Sequence, residues 1–191
     1  MMNKIVQYPD PSLNVPVEPL HLDDFGGLPH VHQTLKEAME EYYAVGIAAN
    51  QLGLNTRACL VGEDFLVNPF IVEQKGSVTY ALEGCLSIEY GQKGYVRPAD
   101  EEVVVYYEDM EGLVKHKRFT DFEARVALHE IRHLDGKLIN EGVEDGLVEM
   151  AKVGSCGKWM TLGFKDDHYP CRLKKGHTGI HEPYIPKENN E

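Results

Sequence analysis

The sequence lacks an excess of basic residues, with 19 lysines and arginines against 31 aspartates and glutamates in 191 residues. A general nucleic-acid binder needs clustered Lys and Arg to neutralise phosphates, so this composition argues against that class. The sequence also lacks an apolar run near the roughly 20 residues that a membrane span requires. Its first residues do not have the pattern of a signal peptide. We therefore expect a cytoplasmic protein without membrane contact.

Cysteine is also scarce, and none of the four cysteines forms a close Cys-x-x-Cys pair. In a reducing compartment disulfides are rare. Each cysteine is therefore expected to be a metal ligand, a nucleophile or a small buried side chain.

The hydrophobic content of 42% is sufficient for a folded core. Prolines among the first twenty residues predict an extended arm that wraps the body. Helical spacing of apolar residues predicts a first helix over 29–43, and residues 109–112 are predicted to close a hairpin. These patterns predict an α+β fold of mostly antiparallel strands around a central helix, followed by a small C-terminal extension. Short strands are predicted over 58–61, 65–67, 77–82 and 103–107.

The pattern His-Glu-x-x-His occurs once, at His129, Glu130 and His133. Side chains at i and i+4 lie one above the other on an α-helix, so the two imidazoles can bind one cation. The glutamate between them can act as a general base toward water. The alternative is an ordinary amphipathic helix with two incidental histidines.

The limits of this predicted helix are also readable in the sequence. Thr120 and Glu123 have the spacing of a capping box, and Gly136 is a typical residue after a last turn. Phe122 and Val126 continue the stripe on which the two histidines lie. We therefore expect the metal site to be buried.

A catalytic metal site with one open position needs a third protein ligand besides the two imidazoles. Cys85 follows a glycine within the strand region and could supply a thiolate, although a buried, unreactive thiol explains it equally well. Gln51 follows a run of small residues, which allows either close approach of a ligand or a tight turn into a strand.

Three segments, in this order, resemble motifs of the peptide deformylase family. Residues 44–51 resemble Gly-x-Gly-x-Ala-Ala-x-Gln, residues 83–87 match Glu-Gly-Cys-Leu-Ser, and residues 128–133 resemble Gln-His-Glu-x-Asp-His. The resemblance covers about residues 4–141. Three motifs in one order are much more specific than any single one.

The resemblance implies one divalent metal, usually Fe²⁺ in cells and often Zn²⁺, Ni²⁺ or Co²⁺ in preparations. It implies that Glu130 serves first as general base and then as general acid. Gln51 and the backbone N–H of Leu86 would hold the developing oxyanion. The implied metal ligands are Cys85, His129 and His133.

The resemblance also implies a substrate site for N-formylmethionyl peptides, with the ribosome near its exit tunnel as a further partner. Gly46 and Glu83 would form the substrate floor and its support. By position, Val45, Phe122 and Val126 would line a pocket for the methionine side chain. The implied location is the bacterial cytosol, or the host cytosol if a phage encodes the protein.

The implied reaction is the hydrolytic removal of the formyl group from the initiator methionine of nascent polypeptides, with release of formate. Two alternatives stay open. One is a cysteine amidase that uses Cys85 as nucleophile and His129 as its base. The other is a catalytically silent or weak protein that binds formyl peptides or the ribosome.

The chain departs from the family motifs at three positions. Ala44 replaces the first glycine, which a backbone with negative φ tolerates. Leu128 replaces a glutamine. Arg132 replaces an acid inside the metal motif, near where Arg97 could have an anionic partner. Since the metal ligands and the general base are kept, we expect these three substitutions to change the properties of the metal site without abolishing it.

The resemblance ends near residue 150, so we expect a catalytic domain over 1–149 and an extension over 150–191. Residues 150–191 carry seven basic and five acidic residues, whereas the rest of the chain is strongly acidic. Thiolates and imidazoles in a short polar segment suit a structural zinc site. The alternative is a solvated tail whose apolar residues pack on the body. The candidate ligands of this second zinc are Cys156, Cys171, His177 and His181.

Overall fold

The fold is described here from a computed structural model, which covers residues 4–88, 93–141, 147–149, 159–162 and 167–170. Helices and antiparallel strands are both present, as the α+β prediction requires. Among the helices that these ranges contain, none combines the length and apolar character needed to cross a membrane.

Five strands form one antiparallel sheet in the order β1-β2-β3-β4-β5, and β6 pairs with the start of β4. A separate pair, β7 and β8, forms a two-stranded sheet. The helices are α1 (Leu28–Tyr42) and α2 (Asp121–Leu134). The strands are β1 (Gly46–Ala48), β2 (Ala58–Val61), β3 (Asp64–Gly84), β4 (Lys93–Glu108), β5 (Val114–Thr120), β6 (Leu147–Glu149), β7 (Trp159–Leu162) and β8 (Asp167–Pro170).

Helix α2 packs against β1, β2, β4 and β5, and the largest cluster of buried side chains lies between them. Helix α1 covers a second cluster with β1 and β2. The metal-motif helix is therefore central, which places ten of its fourteen residues in buried positions. A helix buried this fully can fix its side chains against the sheet.

The prediction of two short strands over 65–67 and 77–82 was wrong, because both belong to the continuous strand β3. Asn68 has a positive φ of 49° and Gly76 one of 88°. Near these residues the pairing of β3 with β4 shifts register, as at β-bulges. The turn-forming residues thus bend the strand without ending it.

The predicted capping box of α2 was also wrong. Thr120 is the N-cap residue with extended backbone, but its side chain makes no cap hydrogen bond among the described residues. Asp121, the first helical residue, has a positive φ of 53°, so the chain does not enter the helix with the geometry that a capping box needs. Gly136, with φ of 70°, follows the helix end as predicted.

The N-terminal arm wraps the body by backbone hydrogen bonds, as predicted. The N–H of Val6 donates to Gln51 O at 2.8 Å, and the N–H of Tyr8 donates to Ser87 O at 2.7 Å. Farther along, Val17 donates to Leu134 O at 2.8 Å. The arm therefore joins the end of α2 to the segments around Gln51 and Ser87.

Arg57 ties the arm, α2 and β3 together, and Arg57→Ala should lower the free energy of unfolding by about 2–4 kcal/mol. Its guanidinium donates to Val17 O, Leu134 O and Pro69 O at 3.1–3.2 Å and pairs with Asp135 at 2.8 Å. Loss of the side chain removes the guanidinium donors from Val17 O and Pro69 O and the ion pair with Asp135, whereas Leu134 O keeps the N–H of Val17. Urea unfolding measures the change.

Arg118→Ala is the matched control for Arg57→Ala. Arg118 forms one ion pair with Glu102 at 2.8 Å, and its side chain is 58% exposed. An exposed pair of this kind contributes less than about 1 kcal/mol. Equal destabilisation by both variants would contradict the role given to Arg57.

Candidate metal centre

Two imidazoles of α2 converge on one point, as the i, i+4 spacing predicts. The Nε2 atoms of His129 and His133 are 3.2 Å apart, and the ring centroids are 4.9 Å apart. The exposed fractions are 9% for His129 and 0% for His133. The expectation of a buried site is therefore confirmed for these two side chains.

Cys85 joins them from the turn that follows β3. The N–H of Ile88 donates to Cys85 O at 3.0 Å, which closes the turn, and Cys85 Sγ lies 3.2 Å from His133 Nε2. The potential ligand atoms of Cys85, His129 and His133 all lie within 4.8 Å of one another. The structure thus brings together the three residues that the sequence suggested as ligands.

This donor set fits a divalent metal. One thiolate and two imidazoles leave a fourth position open in a tetrahedral site. The Nδ1 of His129 faces Glu83 Oε2 at 3.2 Å, so the acceptor lone pair of the neutral ring is on Nε2, toward His133. A divalent cation between these nitrogen and sulfur lone pairs would satisfy all three of them.

Charge in the surroundings also favours a cation. Although burial disfavours the imidazolium, hydrogen bonds that the ring donates to Cys85 and Glu83 raise the pKa of His129 well above its ordinary value. For His133, burial and the charge of His129 lower the pKa well below the ordinary value. Anionic partners that favour a proton on His129 equally favour a divalent cation beside it.

Glu83 has a contact that the sequence reasoning missed. Its Oε2 lies 3.2 Å from His129 Nδ1, and its Oε1 accepts from Arg125 Nη1 at 2.6 Å. Burial raises the pKa of Glu83, but hydrogen bonds from His129 and Arg125 outweigh burial and lower it. A carboxylate on the second nitrogen of a metal-binding histidine fixes the ring and its tautomer.

Arg125 itself was not among the predicted site residues. It lies four residues before His129, so the helical spacing could have placed both on one face. Its exposed fraction is 8%, and it also donates to Arg97 O at 2.8 Å. A buried arginine at this spacing from a ligand is the signal that could have identified it.

Glu130 is buried beside the two histidines, with an exposed fraction of 4%. Its Oε2 has no hydrogen-bond partner within the part of the chain that the structure describes. Burial raises its pKa to about 7, while the charge of His129 lowers it and that of Glu83 raises it. A carboxyl group with this pKa can accept and return a proton near neutral pH.

Gln51 lies in a short 3₁₀ turn beside Cys85. Its Oε1 accepts from the N–H of Ala48 at 3.0 Å, which directs Nε2 toward Ser87 Oγ at 3.2 Å and Cys85 Sγ at 3.8 Å. Leu86 is half-buried, and its N–H has no acceptor among the described residues. The side-chain amide of Gln51 and the backbone N–H of Leu86 are therefore both near the sulfur of Cys85.

The residues predicted to contact substrate are only partly brought together. A Cβ added to Gly46 would lie 2.6 Å from Val126 Cγ1, so these two residues are in close contact. Phe122 lies one turn before Val126 on α2 and is half-buried against the core. Val45 precedes Gly46 in the chain and is 37% exposed.

Gly46→Ala should lower kcat by about 10²-fold, because displacing a reacting group by about 1 Å can lower the reaction rate by that factor. The added Cβ would lie 2.8 Å from Glu130 Oε1 as well as against Val126, so the carboxylate must move. Steady-state kinetics measures the change. Gly26→Ala is the control, since its Cβ meets nothing within 4 Å; equal loss in both would contradict the interpretation.

The three departures from the motifs have different surroundings. Ala44 is not among the residues with positive φ, and its N–H donates to Met39 O at 2.9 Å. Leu128 is 2% exposed and belongs to the main core. Arg132 is half-buried. The first two substitutions are therefore accommodated by ordinary backbone geometry and apolar packing.

The residues predicted to bind a second zinc lie outside the described residues: Cys156, Cys171, His177 and His181. In the described part of the chain, Cys85, His129 and His133 form the cluster suited to a metal ion.

Comparison with known proteins agrees with this geometry. Residues 2–146 match the family model described as polypeptide deformylase. A peptide deformylase of Finegoldia magna is 37% identical over 114 residues, which are 56% of this chain and 68% of that protein.

Solved structures give the same result. An actinonin-bound peptide deformylase from Acinetobacter baumannii superposes with a TM-score of 0.69 at 27% identity, covering 74% of this chain and 97% of that one. A Met-Ala-Ser-bound structure from the same organism gives a TM-score of 0.67 at 26% identity, covering 72% of this chain and 96% of that one.

Proposed function

This chain belongs to the polypeptide deformylase family, and we propose that Cys85, His129 and His133 hold the divalent metal of its hydrolytic reaction. The enzyme removes the formyl group from the N-terminus of nascent peptides. The observation that carries the ligand assignment is the convergence of the thiol and two ring nitrogens, whose ligand atoms lie within 4.8 Å of one another. A bound divalent metal supplies Lewis acidity and lowers the pKa of water.

Glu130 is the proposed proton carrier. It accepts a proton from the attacking water and returns it to the amide nitrogen as the C–N bond breaks. The products are formate and a peptide with a free amino terminus. This assignment is supported by the burial of Glu130 and by its pKa of about 7.

Gln51 and Leu86 are proposed to hold the carbonyl oxygen as negative charge develops on it. The support is that Gln51 Nε2 points toward Cys85 Sγ, at 3.8 Å, and that the N–H of Leu86 follows directly in the chain. Preorganised donors of this kind contribute about 10²–10³-fold each to the rate. Glu83 orients His129 through Nδ1 and is not assigned a direct contact with substrate.

Gly46 is proposed to form the floor under the formyl group, where a side chain would displace Glu130. Val45, Phe122 and Val126 are proposed to contact the methionine side chain and to exclude water. We propose Fe²⁺ as the metal in cells, with Zn²⁺, Ni²⁺ or Co²⁺ able to replace it. Nascent chains near the ribosomal exit tunnel are the proposed substrates, in the cytosol of a bacterium or of a phage-infected host.

We also propose the division into a catalytic domain over 1–149 and an extension over 150–191. Its support is that β6 pairs with β4 of the main sheet, whereas β7 pairs with β8. A structural zinc bound by cysteines and histidines of the extension remains a proposal; metal analysis of the full chain and of a chain ending at residue 149 would test it.

The function is tested by formate release from formyl-Met-Ala-Ser with the Ni²⁺-loaded full chain. We expect turnover of about 1–10³ s⁻¹, the usual range for enzymes. Acetyl-Met-Ala-Ser is the control and should release no acetate at a comparable rate. A folded chain that contains one metal ion and releases no formate would contradict the proposal.

A further inference from the structure

One face of α2 carries two arginines on either side of the proposed metal ligand His129. Arg125, His129 and Arg132 have the spacing i, i+4 and i+7, which aligns them on one side of the helix. The guanidinium of Arg125 already has acceptors, since its Nη1 donates to Glu83 Oε1 at 2.6 Å and to Arg97 O at 2.8 Å. This face of α2 therefore lies over β4 at Arg97.

Arg97 points toward α2 from the strand. Tyr95 and Ala99, two residues away on either side, are 6% and 4% exposed, so side chains at this alternation face the interior. Arg97 is half-buried, and its Nη1 donates to Glu141 O at 2.9 Å. Its Nε is buried without a hydrogen-bond partner in the described ranges.

Arg132 is the second guanidinium with unused donors. It is half-buried, and its side chain makes neither a hydrogen bond nor an ion pair with any residue that the structure describes. Its backbone carbonyl accepts from the N–H groups of Asp135 and Lys137. Burial lowers its pKa, Arg97 and Arg125 lower it further, and Glu83 and Asp100 raise it. Three guanidinium groups thus lie near two carboxylates, one of which already binds Arg125 and His129.

A partly buried guanidinium without acceptors is unfavourable, and a second one nearby adds repulsion. Each guanidinium presents a planar set of donors that matches two oxygens of a carboxylate or phosphate. We propose that Arg97 and Arg132 together bind a small oxyanion between β4 and the end of α2. This site is separate from the proposed metal ligands and does not depend on the deformylase reaction.

The substitution at position 132 is what creates the site. In the family motif an acid stands here, and it could pair with the cation at Arg97. With arginine in its place, the described carboxylates that act on it are Glu83, which already binds Arg125 and His129, and Asp100. A diffusible anion can supply the further negative charge that two guanidinium groups accept. The ligand class is therefore an anion with at least two oxygens on one side, for which inorganic phosphate and formate are suitable probes.

The test is thermal unfolding of the metal-loaded full chain in increasing inorganic phosphate, with chloride adjusted to constant ionic strength. An anion that binds only the folded state raises the Tm as its concentration increases. Constant ionic strength removes general screening from the comparison. We expect the wild-type Tm to rise with phosphate, and Arg132→Gln to bind phosphate at least about tenfold more weakly.

Arg132→Lys keeps the charge and the apolar stem but loses the planar set of donors, so it should bind more weakly than wild type and remain folded. Lys137→Gln removes an exposed cation near the same helix end and should respond to phosphate as wild type does. A formate series identifies the ligand: a response to phosphate alone indicates a phosphate site, and a response to both indicates a general oxyanion site.

Two results would overturn the proposal. The first is equal stabilisation of wild type and Arg132→Gln by phosphate, which would place the anion elsewhere, including on the metal. The second is the absence of stabilisation by either anion in wild type. Neither result depends on formate release, so this proposal and the deformylase assignment can fail independently.

Discussion

Glu130→Gln is expected to lower kcat for formate release by about 10²–10⁴-fold, the usual contribution of a general base and acid. The amide keeps the size and burial of Glu130 but cannot carry the proton from water to the leaving nitrogen. Because Glu130 is not among the three clustered ligands, metal content should stay at the wild-type value. Steady-state kinetics together with metal analysis of the same samples measures both quantities.

Glu123→Gln is the matched control for this change. Glu123 lies on the same helix seven residues earlier and is exposed. Its loss should leave kcat near the wild-type value. Undiminished turnover in Glu130→Gln, with one metal ion bound, would exclude Glu130 as the proton carrier.

Cys85→Ala is expected to reduce both bound metal and activity, with kcat/KM lower by about a thousandfold or more. The expectation follows because a metal ion contributes several kcal/mol to stabilisation of the transition state, and each 1.4 kcal/mol is a factor of ten. The Cys85 thiol lies 3.2 Å from His133 Nε2 and is 2% exposed, so water cannot easily replace it.

Cys59→Ala separates loss of a ligand from loss of a buried thiol. Cys59 is fully buried in β2, where desolvation raises its pKa well above the ordinary value and keeps it a neutral thiol. Its removal should destabilise the fold by about 1 kcal/mol and leave metal content unchanged. If Cys85→Ala retained one tightly bound metal ion, the ligand assignment would be wrong.

The two histidines were predictable from sequence because helical periodicity places residues i and i+4 on one face. Glu130 was predictable from its position within the His-Glu-x-x-His pattern. Cys85 was not, since nothing local determines which residue after a long strand meets the helix. Its selection as ligand depended on the ordered motifs. The structure brings its sulfur to the imidazoles through the turn after β3.

Other features depend on tertiary contacts that no local pattern encodes. Glu83 was predicted to support substrate, but its described contacts are with His129 and Arg125. The sequence predicts that strands end near Asn68 and Gly76, but the pairing of β3 with β4 continues past both residues with shifted register. The departure from the family motif identified Arg132 as unusual and suggested Arg97 as its neighbour. The hydrogen bond from Arg125 of the same helix to Arg97 O could be seen only in the fold.

The central claim is that one metal ion at Cys85, His129 and His133 supports removal of the formyl group. Its most direct test is titration of the metal-free chain with Ni²⁺ while formate release from formyl-Met-Ala-Ser is recorded. We predict negligible release without metal and a rise in rate that ends at one equivalent. Full-rate formate release from the metal-free chain would contradict the account and would favour Cys85 as a nucleophile.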